Sequence, residues 1–521
     1  MKKLYSLAVL GILAGASILF YSFDLKEINT SLADVINVDG GMISGVKSTT
    51  GDVVLFKGIP FAAPPVGKLR WKAPQPVPQW DGIKKCDAFG PSPMQNKPVP
   101  FGVYTKEFLI PEQPVSEDCL YLNVWAKNDA KPKKPVFVWI YGGGFTSGGT
   151  AVPIYDGEAM AKKGIIFVSI NYRVGVFGFL AHPELTNESP DKASGNYALL
   201  DQIAALKWIR KNIASFGGDP GNVTIAGQSA GSMSVNCLIA SPVAKGLFNK
   251  AIAESGSMMV SNPMIKTRTL ADAEQQGIKL AAAVHANTID ELRKIPAADL
   301  MKIPGGYSPI VDGYVLPEPA FQIFAEGKEN SIPLLTGWNA DEGFVFSFKK
   351  KDAFQQEAKE KYGKDAGAFL KYFPANTNEE AAHSQTKLSR DMIFAISGYK
   401  WIGIQSERKA PVYAYYFQHK LPATPDFEKY GAFHTGEVAY VTDNLKFLNR
   451  PWKPADNILA KQMSAYWVNF ITNGNPNGKN LPAWPKYNKS MSQVMVFDNG
   501  AVKKRLPDKE ELEFMLEHVE K

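Results

Sequence analysis

The stretch from Val223 to Ser232, VTIAGQSAGS, constrains the fold of this chain more than any other. A β-branched apolar run stops at Gly227, one serine stands between Gly227 and Gly231, and a helical pattern follows. A strand that turns this abruptly into a helix holds the residue at its tip above the sheet. The flanking glycines are required because a Cβ at either position would meet neighbouring backbone. The pattern predicts a buried strand, a helix from about Ala230 with its positive end toward the tip, and an exposed, reactive hydroxyl on Ser229.

The remaining periodicities supply a sheet for that strand. Runs at 135–141, 164–172, 222–227, 250–255, 331–338 and 411–419 are continuously apolar. Leu199, Ile203, Leu206, Ile209 and Ile213 recur at helical spacing between two of these runs. Apolar strands alternating with helices predict an α/β fold with a large, mostly parallel central sheet covered by helices on both faces. Residues 340–410 read as a polar helical insertion over the sheet, and the absence of repeats or a Gly/Ser linker predicts one domain over 34–521. Residues 1–33 stand apart: Lys2 and Lys3 precede an uncharged apolar run from Leu4 to Phe23. That run is either a signal peptide, with Ala14-Gly15-Ala16 as the cleavage region, or an uncleaved anchor that tethers the domain to a membrane. Both place the domain outside the cytoplasm, in a periplasm or secreted.

The formal charge of +7 is spread without a Lys/Arg block interleaved with aromatics, which argues against nucleic acid as a partner. The three cysteines form no C-x-x-C and no His/Cys cluster, so no metal is expected. Cys237, in an apolar helical stretch, reads as a buried free thiol. Nothing demands an assembly beyond a monomer or a weak homo-oligomer.

A serine hydroxyl is a poor nucleophile at neutral pH unless a base takes its proton, and the base needs an acid to orient it. On a strand–turn–helix of this kind the acid and then the base follow the serine in the chain. Of the six histidines, His182 precedes Ser229, and His285, His383 and His518 lie in helical or charged stretches. His419 ends a strand, and His434 lies in the loop beyond it, within YGAFHTGE. The loop position, from which a side chain can reach back over the sheet, favours His434. Asp341 and Glu342 both follow the 331–338 strand, and spacing does not choose between them. Gly142, Gly143 and Gly144 directly follow the 135–141 strand and can turn backbone N–H groups toward a substrate oxygen, with the N–H of Ala230 completing the set.

With these parts in this order the chain resembles a type B carboxylesterase, the cholinesterase-like branch of the α/β-hydrolase fold that includes bacterial para-nitrobenzyl esterases. The resemblance runs through FKGIPFAAPPVGKLRWKAPQP (56–76), SEDCLYLNVW (116–125), FGGDPGNVTIAGQSAGS (216–232), YWVNFITNGNPNG (466–478) and PAWPKY (482–487). It implies a serine esterase that hydrolyses small carboxylic esters through an acyl-enzyme, with no cofactor. It also implies Glu342 as the acid, His434 as the base with Glu437 in its H-x-x-E stretch, and Gly143, Gly144 and Ala230 as oxyanion donors. Ser255 would sit beside the acid, Arg70 and Glu117 would pair, and Cys86 and Cys119 would form a disulfide. Gln228 replaces the glutamate that many relatives carry before the nucleophile, removing a charge. The 86–119 loop holds no tryptophan for a cation cage. Both features point to an apolar cleft, with Phe101, Tyr104, Phe145, Met258 and Met259 as candidate lining residues. Two other readings compete: a non-catalytic adhesion or binding module, and an esterase specialised for bulky natural esters such as feruloyl or acetyl saccharides.

Overall fold

The computed structural model describes residues 32, 34–112, 114–129, 131–261, 266–423 and 425–519. The export segment read from residues 4–23 lies outside the described residues.

An eleven-stranded sheet organises the chain. Its strands, in chain order, are β1 (Val46–Lys47), β2 (Val53–Pro60), β3 (Tyr121–Lys127), β4 (Lys134–Ile140), β5 (Ile166–Ile170), β6 (Gly218–Gln228), β7 (Lys250–Glu254), β8 (Leu334–Asn339), β9 (Val412–Phe417), β10 (Gln493–Phe497) and β11 (Ala501–Arg505). Across the sheet they run β11-β10-β9-β8-β7-β6-β4-β5-β3-β2-β1. The strands from β10 to β5 are parallel. The two flanks, β3-β2-β1 and β11, are antiparallel. The six apolar runs coincide with β4 to β9, buried on both faces because helices cover both, as continuous hydrophobic strands require.

The helix expected at 199–213 is α1 (Tyr197–Asn212), whose Leu199, Ile203, Leu206 and Ile209 are buried. Helix α2 (Ala230–Ala240) follows β6 after the single residue Ser229. The insertion carries α3 (Lys351–Tyr362), α4 (Asn378–Arg390) and α5 (Ile396–Gln405), with a π-helical turn at Asp391–Ala395 joining the last two. Helix α6 (Pro454–Asn473) packs across the strands, and α7 (Lys509–Val519) closes the chain against the insertion.

One expected bond is absent. Cys86 and Cys119 are both free thiols, as is Cys237, and all three are buried. The backbone of Cys86 is held between Ser44 and Lys57. Cys119 lines a small pocket with Trp71, Arg173 and Phe177. Burial pushes the Cys86 thiol up to about 12 and the Cys119 thiol well above its ordinary value. The expected Arg70–Glu117 pair is present, with Arg70 Nε donating to Glu117 Oε2 at 2.6 Å.

Candidate active site

Ser229 sits where the sequence places it, at the turn between β6 and α2, with φ 59° and ψ −125°. For a residue with a Cβ this backbone is strained, and the surroundings hold it there. The Ser229 N–H donates to Glu254 O on β7 at 2.9 Å, and Ser229 O accepts from Met233 N–H at 2.9 Å, starting the helix. The glycines are needed for the reason anticipated. A Cβ on Gly231 would lie 2.0 Å from Ile140 O, and one on Gly227 would lie 2.4 Å from the Gly231 carbonyl carbon.

The glycine run after β4 folds back beside the serine. Gly143 has φ 115° and its carbonyl accepts from Thr146 and Ser147 N–H at 3.1 Å, making a tight turn. Among the described residues no hydrogen bond uses the N–H groups of Gly143, Gly144 or Ala230, which leaves them for a ligand. All three residues, with Ser229, line one cleft of about 470 Å3. That volume is ordinary for a small-molecule site.

Glu342 and His434 lie beyond the ends of β8 and β9. His434 Nδ1 is 2.8 Å from Glu342 Oε2, and Glu342 Oε1 accepts from Asn339 N–H at 2.9 Å. Glu342 is 1% exposed and His434 6%. The imidazole stacks on Phe394 of the insertion at 4.5 Å between centroids and meets Phe344 edge-on at 5.3 Å. Tyr104 OH donates to His434 O at 2.8 Å. Asp341 plays another part: its Oδ2 accepts from Ala432 N–H at 2.9 Å, pinning the loop that carries His434. His419 Nε2 lies 2.7 Å from Asp456 Oδ1 beneath that loop, and Asp456 caps α6 through Lys453 N–H at 2.8 Å.

The imidazole has a polar neighbour that sequence reasoning missed. Gln228 Nε2 lies 3.1 Å from His434 Nε2, and Gln228 Oε1 accepts from Thr435 Oγ1 at 3.3 Å. The same amide nitrogen is 3.4 Å from His434 Nδ1, so it lies over the face of the imidazole and not on the axis of the Nε2 lone pair. Among the described residues no hydrogen bond joins Ser229 Oγ to the ring. The position of Gln228, one residue before the serine, was visible in the sequence, but only as a lost charge.

Phe101, Tyr104, Phe108, Met233, Ile393 and Phe394 are among the apolar side chains of the wall, and no aspartate or glutamate lines the cleft. Phe145, Met258 and Met259 do not line it. Phe145 packs on Phe179 at 5.3 Å, Met259 is fully buried, and Met258 lies against Cys237 and Asn236. Ser255 does not hydrogen-bond Glu342: its Oγ is buried without a partner. Glu437 reaches Glu342 only through Asn339, whose Nδ2 it accepts.

Residues 32–515 match the carboxylesterase family. A fumonisin B1 esterase of Sphingopyxis macrogoltabida is 36% identical, over 94% of this chain and 92% of its own. The para-nitrobenzyl esterase of Bacillus subtilis is 35% identical over 91% and 97%. Liver carboxylesterase 1 of Oryctolagus cuniculus is 32% identical over 90% of each.

Proposed function

This chain belongs to the carboxylesterase family and is a carboxylic ester hydrolase; on that premise we propose that it works through a Ser229–His434–Glu342 triad and an acyl-enzyme. In this reading Ser229 Oγ attacks the ester carbonyl while His434 Nε2 takes its proton. The N–H groups of Gly143, Gly144 and Ala230 hold the oxyanion. The tetrahedral intermediate collapses as His434 returns the proton to the departing alkoxide oxygen. Water then gives a proton to His434, attacks the acyl carbonyl and releases the acid, and the proton goes back to Ser229. Glu342 keeps the Nδ1–H tautomer and balances the imidazolium. The carrying observation is the 2.8 Å contact of Glu342 with an imidazole that shares one cleft with Ser229 and the free N–H groups.

An apolar wall without acidic residues favours neutral esters over cationic ones. Two of the relatives bear the names of esters as different as fumonisin B1 and para-nitrobenzyl esters, so a bulky ester stays within this reading. A fluorophosphonate probe tests the mechanism. We expect one covalent adduct on Ser229, and no adduct and at least 10³-fold slower turnover, on the order of the loss when a triad member is removed, in Ser229→Ala. A protein that is never labelled would instead be a binding module. The basic pair and apolar run at residues 2–23 lead us to propose export as well. Recovery of the full chain from the cytoplasmic fraction would oppose this.

A further inference from the structure

Behind Glu342 lies a group of polar atoms that the mechanism above does not use. Glu254 on β7, Gly337 on β8 and Tyr415 on β9 stand side by side in register. A Cβ at Gly337 would come within 2.5 Å of the Tyr415 ring, so only glycine lets that ring lean across β8. Trp467 of α6 closes the space, its Nε1 donating to Glu254 Oε1 at 2.8 Å and its ring 5.5 Å from that of Tyr415. Asn339, two residues beyond Gly337, ties Glu342 to Glu437 through its backbone N–H and its side-chain amide.

Around this space Glu254 Oε2, Ser255 Oγ, Asn339 Oδ1, Tyr415 OH and Glu437 Oε1 are all buried without a hydrogen-bond partner among the described residues. The five side chains belong to residues that are 0% exposed. Buried polar atoms are nearly always satisfied, and so many gathered without a partner call for hydrogen-bond donors among themselves. Three carboxyl groups share this space: Glu254, Glu342 and Glu437. The ionisable groups facing them are Tyr415 from β9, Tyr155 from the Pro153–Tyr155 turn, Tyr104 and His434. No lysine or arginine among the described residues pairs with Glu254, Glu342 or Glu437.

We propose that this cluster is an internal proton site in which Glu254 and Glu437 are held as neutral carboxylic acids, leaving Glu342 the one charged carboxyl behind His434. Three like charges in an enclosed space cannot all persist without a cation, and Glu342 alone has an imidazole to answer it. The protonated acids bring hydroxyl donors into a group otherwise rich in acceptors. Burial drives Glu254 up to about 8. It drives Glu437 well above the usual carboxylate range, helped by the charges of Glu254 and Glu342.

The sign of the pH effect follows. A group whose value is raised by folding contributes stability that is complete below the unfolded value and disappears as pH rises through the folded one. The full-length protein, without substrate, is examined by infrared spectroscopy and thermal unfolding from about pH 6 to about pH 9. We expect a protonated-carboxyl C=O stretching band at neutral pH that loses intensity in Glu254→Gln and again in Glu437→Gln. The wild type should lose thermal stability across this range more steeply than Glu254→Gln, which carries no ionisable group at that position. Glu254→Gln keeps size and shape, so it reports even where Glu437→Gln folds poorly. A neutral-pH band unchanged in Glu254→Gln, or identical pH slopes for it and the wild type, overturns the proposal. Neither readout depends on turnover, so failure here is distinct from failure of the triad.

Discussion

Asp341 and Glu342 are chain neighbours with the same charge, yet they do different work. Glu342 turns inward and meets His434 Nδ1, whereas Asp341 accepts a backbone N–H from Ala432 in the next loop. Exchanging each for its amide separates the two. Glu342→Gln should lower kcat on a para-nitrophenyl ester by about 10²- to 10⁴-fold, because the amide favours the wrong tautomer and cannot balance the imidazolium. Asp341→Asn should cost less than about tenfold, since an amide oxygen still accepts from Ala432 and only the loop position is at stake. Equal losses would place the acid elsewhere. The spacing of NADEG could not resolve this choice, because both residues follow the same strand end and only the direction of the side chains differs. The resemblance to the family favoured Glu342, and of the two it is Glu342 that lies 2.8 Å from His434 Nδ1. The contact between Gln228 and His434 was not legible. It depends on how a loop some 200 residues away folds back, and nothing local encodes that.

At the scale of elements, the strand–turn–helix around Ser229 was readable because its glycines have a steric cause. Gly231→Ala tests that cause. The new Cβ would meet the backbone carbonyl of Ile140, which cannot rotate aside, so β4 and α2 must part. We expect a loss of about 1–3 kcal/mol or more, read from the urea midpoint, together with loss of esterase activity in the folded fraction. Wild-type stability and activity in this variant would mean that the turn has room it should not have. The parallel strands were legible for a related reason: strands buried on both faces must be apolar throughout. β2 was harder to see. Its FKGIP run contains Gly58 and Pro60, residues that strands usually avoid, and it is accommodated by an irregularity in its pairing with β3 between Phe56 and Ile59. His419 was harder for the opposite reason. It follows a good strand pattern, but β9 ends at Phe417 and the imidazole turns to Asp456.

Across the whole molecule, the C-terminal helix is connected to the acid of the site through one buried cation. Arg390, 2% exposed, ends α4. It pairs with Asp391 at 2.6 Å, with Asp508 at 3.1 Å before α7, and with Glu511 on α7 at 3.4 Å. Its Nη1 also donates to Ala340 O at 3.1 Å, in the turn that presents Asp341 and Glu342. The π-helical turn that follows carries Phe394, which stacks on His434. The C-terminus, the insertion and the turn after β8 that carries Glu342 meet at this guanidinium. Arg390→Met removes the cation and leaves buried acids with Lys387 as the remaining nearby counter-charge. Loss of one partner from such a cluster costs about 3–5 kcal/mol, so the urea midpoint should fall accordingly. Helix α7 should become susceptible to limited proteolysis. The effect on catalysis follows from the Ala340 contact: kcat on a short ester should fall while KM changes little, because the cleft wall keeps its apolar residues and the acid turn loses its anchor. Removing the exposed Lys302–Asp299 pair by Lys302→Ala should alter stability by less than about 1 kcal/mol and leave kcat alone. A destabilised Arg390→Met protein with unchanged kcat would show that the C-terminal helix supports the fold without holding Glu342 in position, and the anchoring would then have to reside in Asn339 and the Asp341 contact alone.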